Sequence, residues 1–298
     1  MAQQLGAIRF RGKVANVVGF KNSASTKSNK DFVREHVAEI ANPKSDAQAA
    51  QRCKAKPAQM FYGAFEAVLN HAFKPSAKAS INRNMFLKYA MENPTIPDVA
   101  KGDSYLPIVD YRVSRGNLGW DSLCSGTPLV DYSGVTFGVK CNMETLESTT
   151  IAQLSTAILA ATPQLTEGQE LTFLIVSCQY DNQSVRKADV ISFVLDKSNT
   201  ITPLANLFHN AVQFGCLSTG EGISVFSEDS LDTYILSAAL IISSKTSNSW
   251  RYTNSFMVLS AEGESVYGLV SPEAVKQSYM KSEATRESDK ILQQADNQ

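Results

Sequence analysis

No CxxC pair occurs in this chain, whose five cysteines, at 53, 124, 141, 178 and 216, lie at least 17 residues apart. That spacing excludes a zinc knuckle and a thioredoxin-like redox motif. An odd, scattered set reads instead as reduced, mostly buried thiols in a reducing compartment. Apolar runs are short: none exceeds five residues, as in AALII at 238–242, against the roughly 20 that a membrane-crossing helix needs. The start, MAQQLGAIRFRGKV, contains no apolar stretch of signal-peptide length. The expectation is a chain with no membrane span, made in the cytoplasm without a signal peptide. Action elsewhere, in a virion for example, needs another route.

Catalytic signatures are also missing. The opening GAIRFRGKVANVVGFKN, Gly6 to Asn22, has the glycine and lysine content of a phosphate loop. Five residues separate Gly6 from Gly12 where that loop needs four, and Val14 follows Lys13 where a hydroxyl should hold magnesium. His36, His71 and His209 form no HExxH pattern and have no second ligand type at helical spacing. A lone imidazole needs a neighbour to set its tautomer before it acts as a base, so each reads as a surface or satisfied core residue. Glu228, Asp229 and Asp232 gather in SEDSLD without calcium-loop spacing, and an acidic inter-strand loop is expected there. Ser278 and Lys281 make an SxxK on a polar segment, and GxSxG is absent. No catalytic residue, metal ligand or cofactor is assigned. A carboxylate pair for glycoside hydrolysis rests on a tertiary separation and stays open.

What the chain does have is charge, unevenly placed. The net charge is −1. Residues 1–91 carry 15 Lys and Arg against 5 Asp and Glu, a net of +10; residues 92–298 carry 13 against 24, a net of −11. Such asymmetry implies different partners for the two parts. A basic segment meets nucleic acid, an anionic membrane or an acidic protein surface, including the acidic part of another copy. The first 30 residues hold Arg9, Arg11, Lys13, Lys21, Lys27 and Lys30 and no acid. These side chains form the candidate basic contact surface, with Phe10 and Phe20 available to stack on bases.

Ile8 and Phe10 alternate with Arg9 and Arg11, then a turn at RGK leads to Val14, Val17, Val18 and Phe20, a hairpin pattern. SASTKSNK (23–30) reads as a loop, and DFVREHVAEI as a strand with Val33, Glu35 and Val37 on one face. Ser45 and Gln48 make a capping box for a first helix, whose apolar face is Phe61, Phe65, Leu69 and Ala72. Pro57 must kink or divide that helix. A second helix over 80–92 places Ile81, Met85 and Tyr89 on one face. From 103 the chain turns to short runs rich in β-branched and aromatic residues, among them LTFLIVSCQY, ADVISFVLD and TYILSAALIIS. Many short strands without regularly alternating helices indicate an antiparallel sandwich or barrel. One helical insertion, TTIAQLSTAILAATP, aligns Ile151, Leu154 and Ile158; a last, polar helix starts at Ser271-Pro272-Glu273.

Four stretches resemble a family of unknown function found in Bacteroidota bacteria and in phages that infect them. They are GAIRFRGKVANVVGFKN, NPKSDAQAAQR, VSRGNL (113–118) and TSNSWRYTNSFMVL (246–259). The resemblance implies a β-rich fold, a helical segment after a short N-terminal β-unit, and a non-enzymatic role; a phage setting implies a virion component. It brings no catalytic residue with it. Pro57 and the polar segment after 271 depart from it.

The resulting reading is an α+β chain. A basic module of strands and helices (1–95) leads through NPTIPDVAKGD to an acidic antiparallel β-sandwich region (103–270) and a C-terminal helical tail (271–298). The expected role is structural or in assembly, with itself or other structural proteins as partners. A nucleic-acid- or ligand-binding protein using the basic module is the alternative, and a hydrolase with a site on the sandwich loops is a third class.

Overall fold

A computed structural model describes residues 2–3, 12–14, 17–21, 31–35, 46–75, 77–92, 111–129, 133–141, 149–179, 186–200, 213–216, 222–227, 234–246 and 249–260. It divides into two compact units, Met1–Ser45 and Asp46–Gln298.

The first unit is an antiparallel sheet of β1 (Ala2–Gln3), β2 (Gly12–Val14), β3 (Val17–Lys21) and β4 (Asp31–Glu35), in the order β1-β4-β3-β2. A hairpin forms here, but from other strands than the expected pair, whose first strand, with Ile8 and Phe10, lies outside the described residues. Gly12 and Lys13 lie within β2, and the two strands close at the Val14↔Val17 pair. Gly12 faces Gly19 across the ladder, so its place is in the strand and not in a turn at RGK.

The second unit begins with α1 (Asp46–Ala64), α2 (Glu66–Leu69) and α3 (Ala79–Glu92). The expected stripe holds: Phe61, Phe65, Leu69 and Ala72 are each at most 1 % exposed. Pro57 does not divide α1, which runs through it. The interruption falls at Phe65, where φ is −113° and ψ is 24°. Amide bonds from Phe65 to Phe61 (3.2 Å) and from Leu69 to Phe65 (2.9 Å) carry the helical path past it. Pro57 is itself buried, so packing of its ring offsets the lost helical hydrogen bond.

The face of α3 is rotated from the expected one. Ile81 is 44 % exposed, while Asn82, Phe86 and Ala90 are buried. Asn82 explains the rotation. Its Oδ1 accepts from the amides of Phe73 (3.1 Å) and Lys74 (2.7 Å), and its Nδ2 donates to the carbonyls of Lys74 (3.1 Å) and Lys78 (3.4 Å). A buried side-chain amide satisfied on both ends can occupy a core position. Phe86 beside it meets Phe61 (5.8 Å, stacked) and Tyr111 (5.7 Å, edge-on).

Then follow β5 (Arg112–Ser114), α4 (Asp121–Cys124), β6 (Gly126–Pro128), β7 (Ser133–Phe137), α5 (Ile151–Ala161), β8 (Gln169–Gln179), β9 (Arg186–Val194), β10 (Gln213–Cys216), β11 (Ile223–Ser227), β12 (Tyr234–Lys245), β13 (Trp250–Tyr252), β14 (Ser255–Phe256) and β15 (Val258–Leu259). They form antiparallel sheets ordered β10-β11-β7-β6 and β13-β12-β8-β9, with β15 also on β12, and a β14-β5 pair. Helix α5 appears where its apolar spacing places it. Thr150 and Gln153 cap it reciprocally, and Ile151, Leu154 and Ile158 are buried.

β8 and β12 form the centre. Leu171, Phe173 and Ile175, with Leu236, Ala238, Leu240 and Ile242, face a core shared with Val135 and Phe137 of β7, Ile223 and Val225 of β11, and α5. The alternate residues Leu174, Val176, Ala239 and Ile241 face a second core shared with the helices, Tyr111 and Val113. Burial on both faces explains why both strands are near-continuous apolar runs. The helices share the second core with this sheet. Among the described residues, no helix is long and apolar enough to cross a membrane.

Candidate functional site

The segments 113–118 and 246–259, far apart in sequence, are bound together. The Ser114 hydroxyl donates to the Thr253 carbonyl (2.7 Å), and the Leu118 amide donates to the Tyr252 carbonyl (3.1 Å). The Gly116 amide reaches Asn254 Oδ1 (3.3 Å), and Arg251 donates to Asn117 Oδ1 (3.2 Å) and to the Asn117 carbonyl (3.0 Å). Asn254 in turn donates from its amide (3.1 Å) and its Nδ2 (3.0 Å) to the Asp121 carboxylate. Beneath this layer the buried Thr253 hydroxyl accepts from the Ile242 amide (3.0 Å) and the Cys124 thiol (3.2 Å). Burial pushes the Cys124 thiol pKa up, and hydrogen bonds from Thr253, Ser255 and Ile242 partly oppose that. Cys124 and Cys141 are buried.

A pocket of about 480 Å³ opens on the solvent side of this junction, lined in part by Arg112, Arg115, Asp121, Cys124, Asn254 and Phe256. The half-buried Arg112 guanidinium lies over the rings of Phe256 (4.6 Å to the centroid) and Tyr89 (5.0 Å). The exposed Arg115 guanidinium lies over the same Tyr89 ring (5.4 Å), and its Nη1 donates to the Tyr89 hydroxyl. β5 supplies Arg112, the loop after it Arg115, α3 the tyrosine and β14 the phenylalanine. Positive charge held against aromatic faces is binding chemistry.

A second groove, of about 420 Å³, lies on the helix-facing side of the β8–β12 sheet, with His71, Glu170, Ser243, Trp250 and Tyr252 in its wall. The His71 ring meets Tyr252 at 6.1 Å, and Trp250 stacks on Tyr252 at 6.4 Å. Burial lowers the His71 pKa and Glu170 partly restores it; burial first, and Glu170 second, raise that of Tyr252. The Ser243 hydroxyl makes a long bond to Glu170 Oε2 (3.5 Å). Among the described residues, no group of three or more His, Cys, Asp or Glu is placed to hold a metal ion.

Of the sequence-derived basic surface, Lys13 lies in β2 opposite Val18 and Lys21 in β3 opposite Asp31. Arg9, Arg11, Lys27 and Lys30 lie outside the described residues, as do His36, His209, Glu228, Asp229, Asp232, the Ser45 cap and the segment from 271 with Ser278 and Lys281. The Arg112–Arg115 pocket had only one sequence signal, Arg115 within VSRGNL; the rings that its arginines pack against, Tyr89 and Phe256, lie 23 and more positions away. No protein-family model, no curated protein and no solved structure matches the chain.

Proposed function

We propose that the chain is a non-enzymatic structural or assembly protein that associates with other copies of itself, as a phage virion component or an accessory to one. The observation that carries this reading is the division of charge. The compact unit 1–45 holds 8 Lys and Arg against 3 Asp and Glu, and the unit 46–298 holds 20 against 26, nets of +5 and −6. Each copy therefore carries two units of opposite net charge, and the basic unit of one copy can attract the acidic unit of the next, the complementarity that head-to-tail association uses. The two sheets that share the first core support a β-sandwich as the finer description of 103–270, and Ser271-Pro272-Glu273 supports a helical tail beyond it.

Light scattering at low and high salt tests association. Oligomers are expected at low ionic strength, dissociating as salt screens the opposed charges. A strict monomer at high concentration in both conditions would overturn the reading. Capsid, portal or tail genes beside the coding sequence bear on the virion setting.

One observation favours a second reading, nucleic-acid binding through Arg9, Arg11, Lys13, Lys21, Lys27 and Lys30: the first 30 residues contain no acid. Affinity for DNA or RNA should then fall steeply with salt, and charge reversal at Arg9, Arg11 and Lys13 should abolish it. A flat response removes this reading.

A further inference from the structure

We propose that the pocket lined by β5, α4 and β14 is an oxyanion-binding site, in which Arg112 and Arg115 hold the phosphate or carboxylate group of a small ligand. This does not depend on the assembly reading. Three features of the pocket point to it.

First, the Arg112 guanidinium has its rings but, among the described residues, no acceptor. It is half-buried and packed against Tyr89 and Phe256, and among the described residues none of its N–H groups has a hydrogen-bond or ion-pair partner. Stacking on an aromatic ring leaves the planar edge of a guanidinium free, and that edge matches two oxygens of a carboxylate or phosphate. Partly desolvated donors without an acceptor are costly, and an oxyanion removes that cost.

Second, Asp121, the carboxylate in the pocket wall, is turned to Asn254, from which both its oxygens accept. Among the described residues it forms no ion pair with the arginines, so its single negative charge stands against their two positive ones.

Third, the two cations are gathered about one ring. Both guanidinium carbons lie within 5.4 Å of the Tyr89 centroid. Both arginines also line the one pocket, so an anion bound there meets two positive charges that otherwise repel each other. Tyr89 fixes Arg115 through its hydroxyl, so one fork is oriented before the ligand arrives. At about 480 Å³, with Phe256, Val258 and Cys124 in its wall, the pocket has room for an apolar body attached to the anionic group.

The test is calorimetric titration of the full chain with inorganic phosphate and, separately, with acetate, at fixed ionic strength in chloride. Saturable binding of at least one anion is expected. Arg112→Gln and Arg115→Gln should each weaken it at least tenfold, Arg112→Lys should weaken it by less, and exposed Lys140→Gln should leave it unchanged. Arg115 is exposed, so its variant keeps the test open if Arg112→Gln fails to fold, as circular dichroism would show. Phosphate alone saturating assigns a phosphate ligand; acetate alone assigns a carboxylate. No saturable binding of either anion, binding unchanged in the arginine variants, or an equal loss in Lys140→Gln would overturn the proposal.

Discussion

Gly116 lies against the backbone of Tyr252: a Cβ built on it would fall 1.8 Å from the Tyr252 carbonyl oxygen and 2.4 Å from its carbon. Backbone cannot swing aside as a long side chain can. Gly116→Ala must therefore push apart the two segments that form the junction, at a cost of roughly 3 kcal/mol. Gly63, near the end of α1, has nothing within 4 Å of its hypothetical Cβ, and Gly63→Ala should stabilise by about 0.5–1 kcal/mol through helix propensity. Urea unfolding of the two variants should move the midpoint in opposite directions. Equal shifts would remove the close approach as the reason for the glycine.

Asn82→Ala should be among the most damaging substitutions in α3. It leaves the amides of the buried Phe73 and of Lys74 without the acceptor they share. Each unsatisfied amide costs about 1–3 kcal/mol. Ile81→Ala, one residue earlier and exposed, should be nearly neutral. Thermal unfolding of both variants decides which face of α3 is inside.

Thr253→Val keeps shape but removes the hydroxyl that serves the Ile242 amide and the Cys124 thiol. A loss of about 1–3 kcal/mol is expected, and Thr253→Ser should recover most of it. If valine is tolerated as well as serine in denaturant titrations, the hydroxyl has no structural role.

His71 makes stability depend on pH in a defined window. Its pKa in the folded chain is below the ordinary imidazole value, because burial outweighs the attraction of Glu170. The unfolded chain then binds more protons as the pH falls below about 6.5, so stability falls with it until the depressed folded pKa is passed. The melting temperature should drop between pH 7.5 and 5.5, and His71→Gln should flatten that drop. An unchanged slope in the variant would show that His71 titrates as it does in water.

Elements whose signal is local were legible in the chain. Phe61, Phe65, Leu69 and Ala72 repeat at helical spacing and are buried as that spacing requires, and α5 forms around Ile151, Leu154 and Ile158. Asn82 was hidden because an amide in a core stripe makes sense only beside the amides of Phe73 and Lys74, which the turn brings to it. The apolar pattern pointed instead to Ile81, which faces solvent. Pro57 does not divide α1, one of the two outcomes its ring predicts: proline weakens a helix locally, and burial compensates where no local rule can register it. The Arg112–Arg115 pocket was illegible because its tyrosine, arginines and phenylalanine converge only when α3, β5 and β14 pack together.

The double-sided strand β8 has a consequence for how this chain tolerates change. Leu171, Phe173 and Ile175 serve one core, while Leu174 and Val176 serve the other. A substitution at an odd position leaves the helix-facing side chains where they were, and one at an even position spares the other core. Inserting or deleting a single residue between 169 and 179 would instead turn every following side chain to the wrong core and slide it out of step with β12. Each layer is thus free to drift in composition independently of the other, while the spacing of this strand is held fixed from both sides.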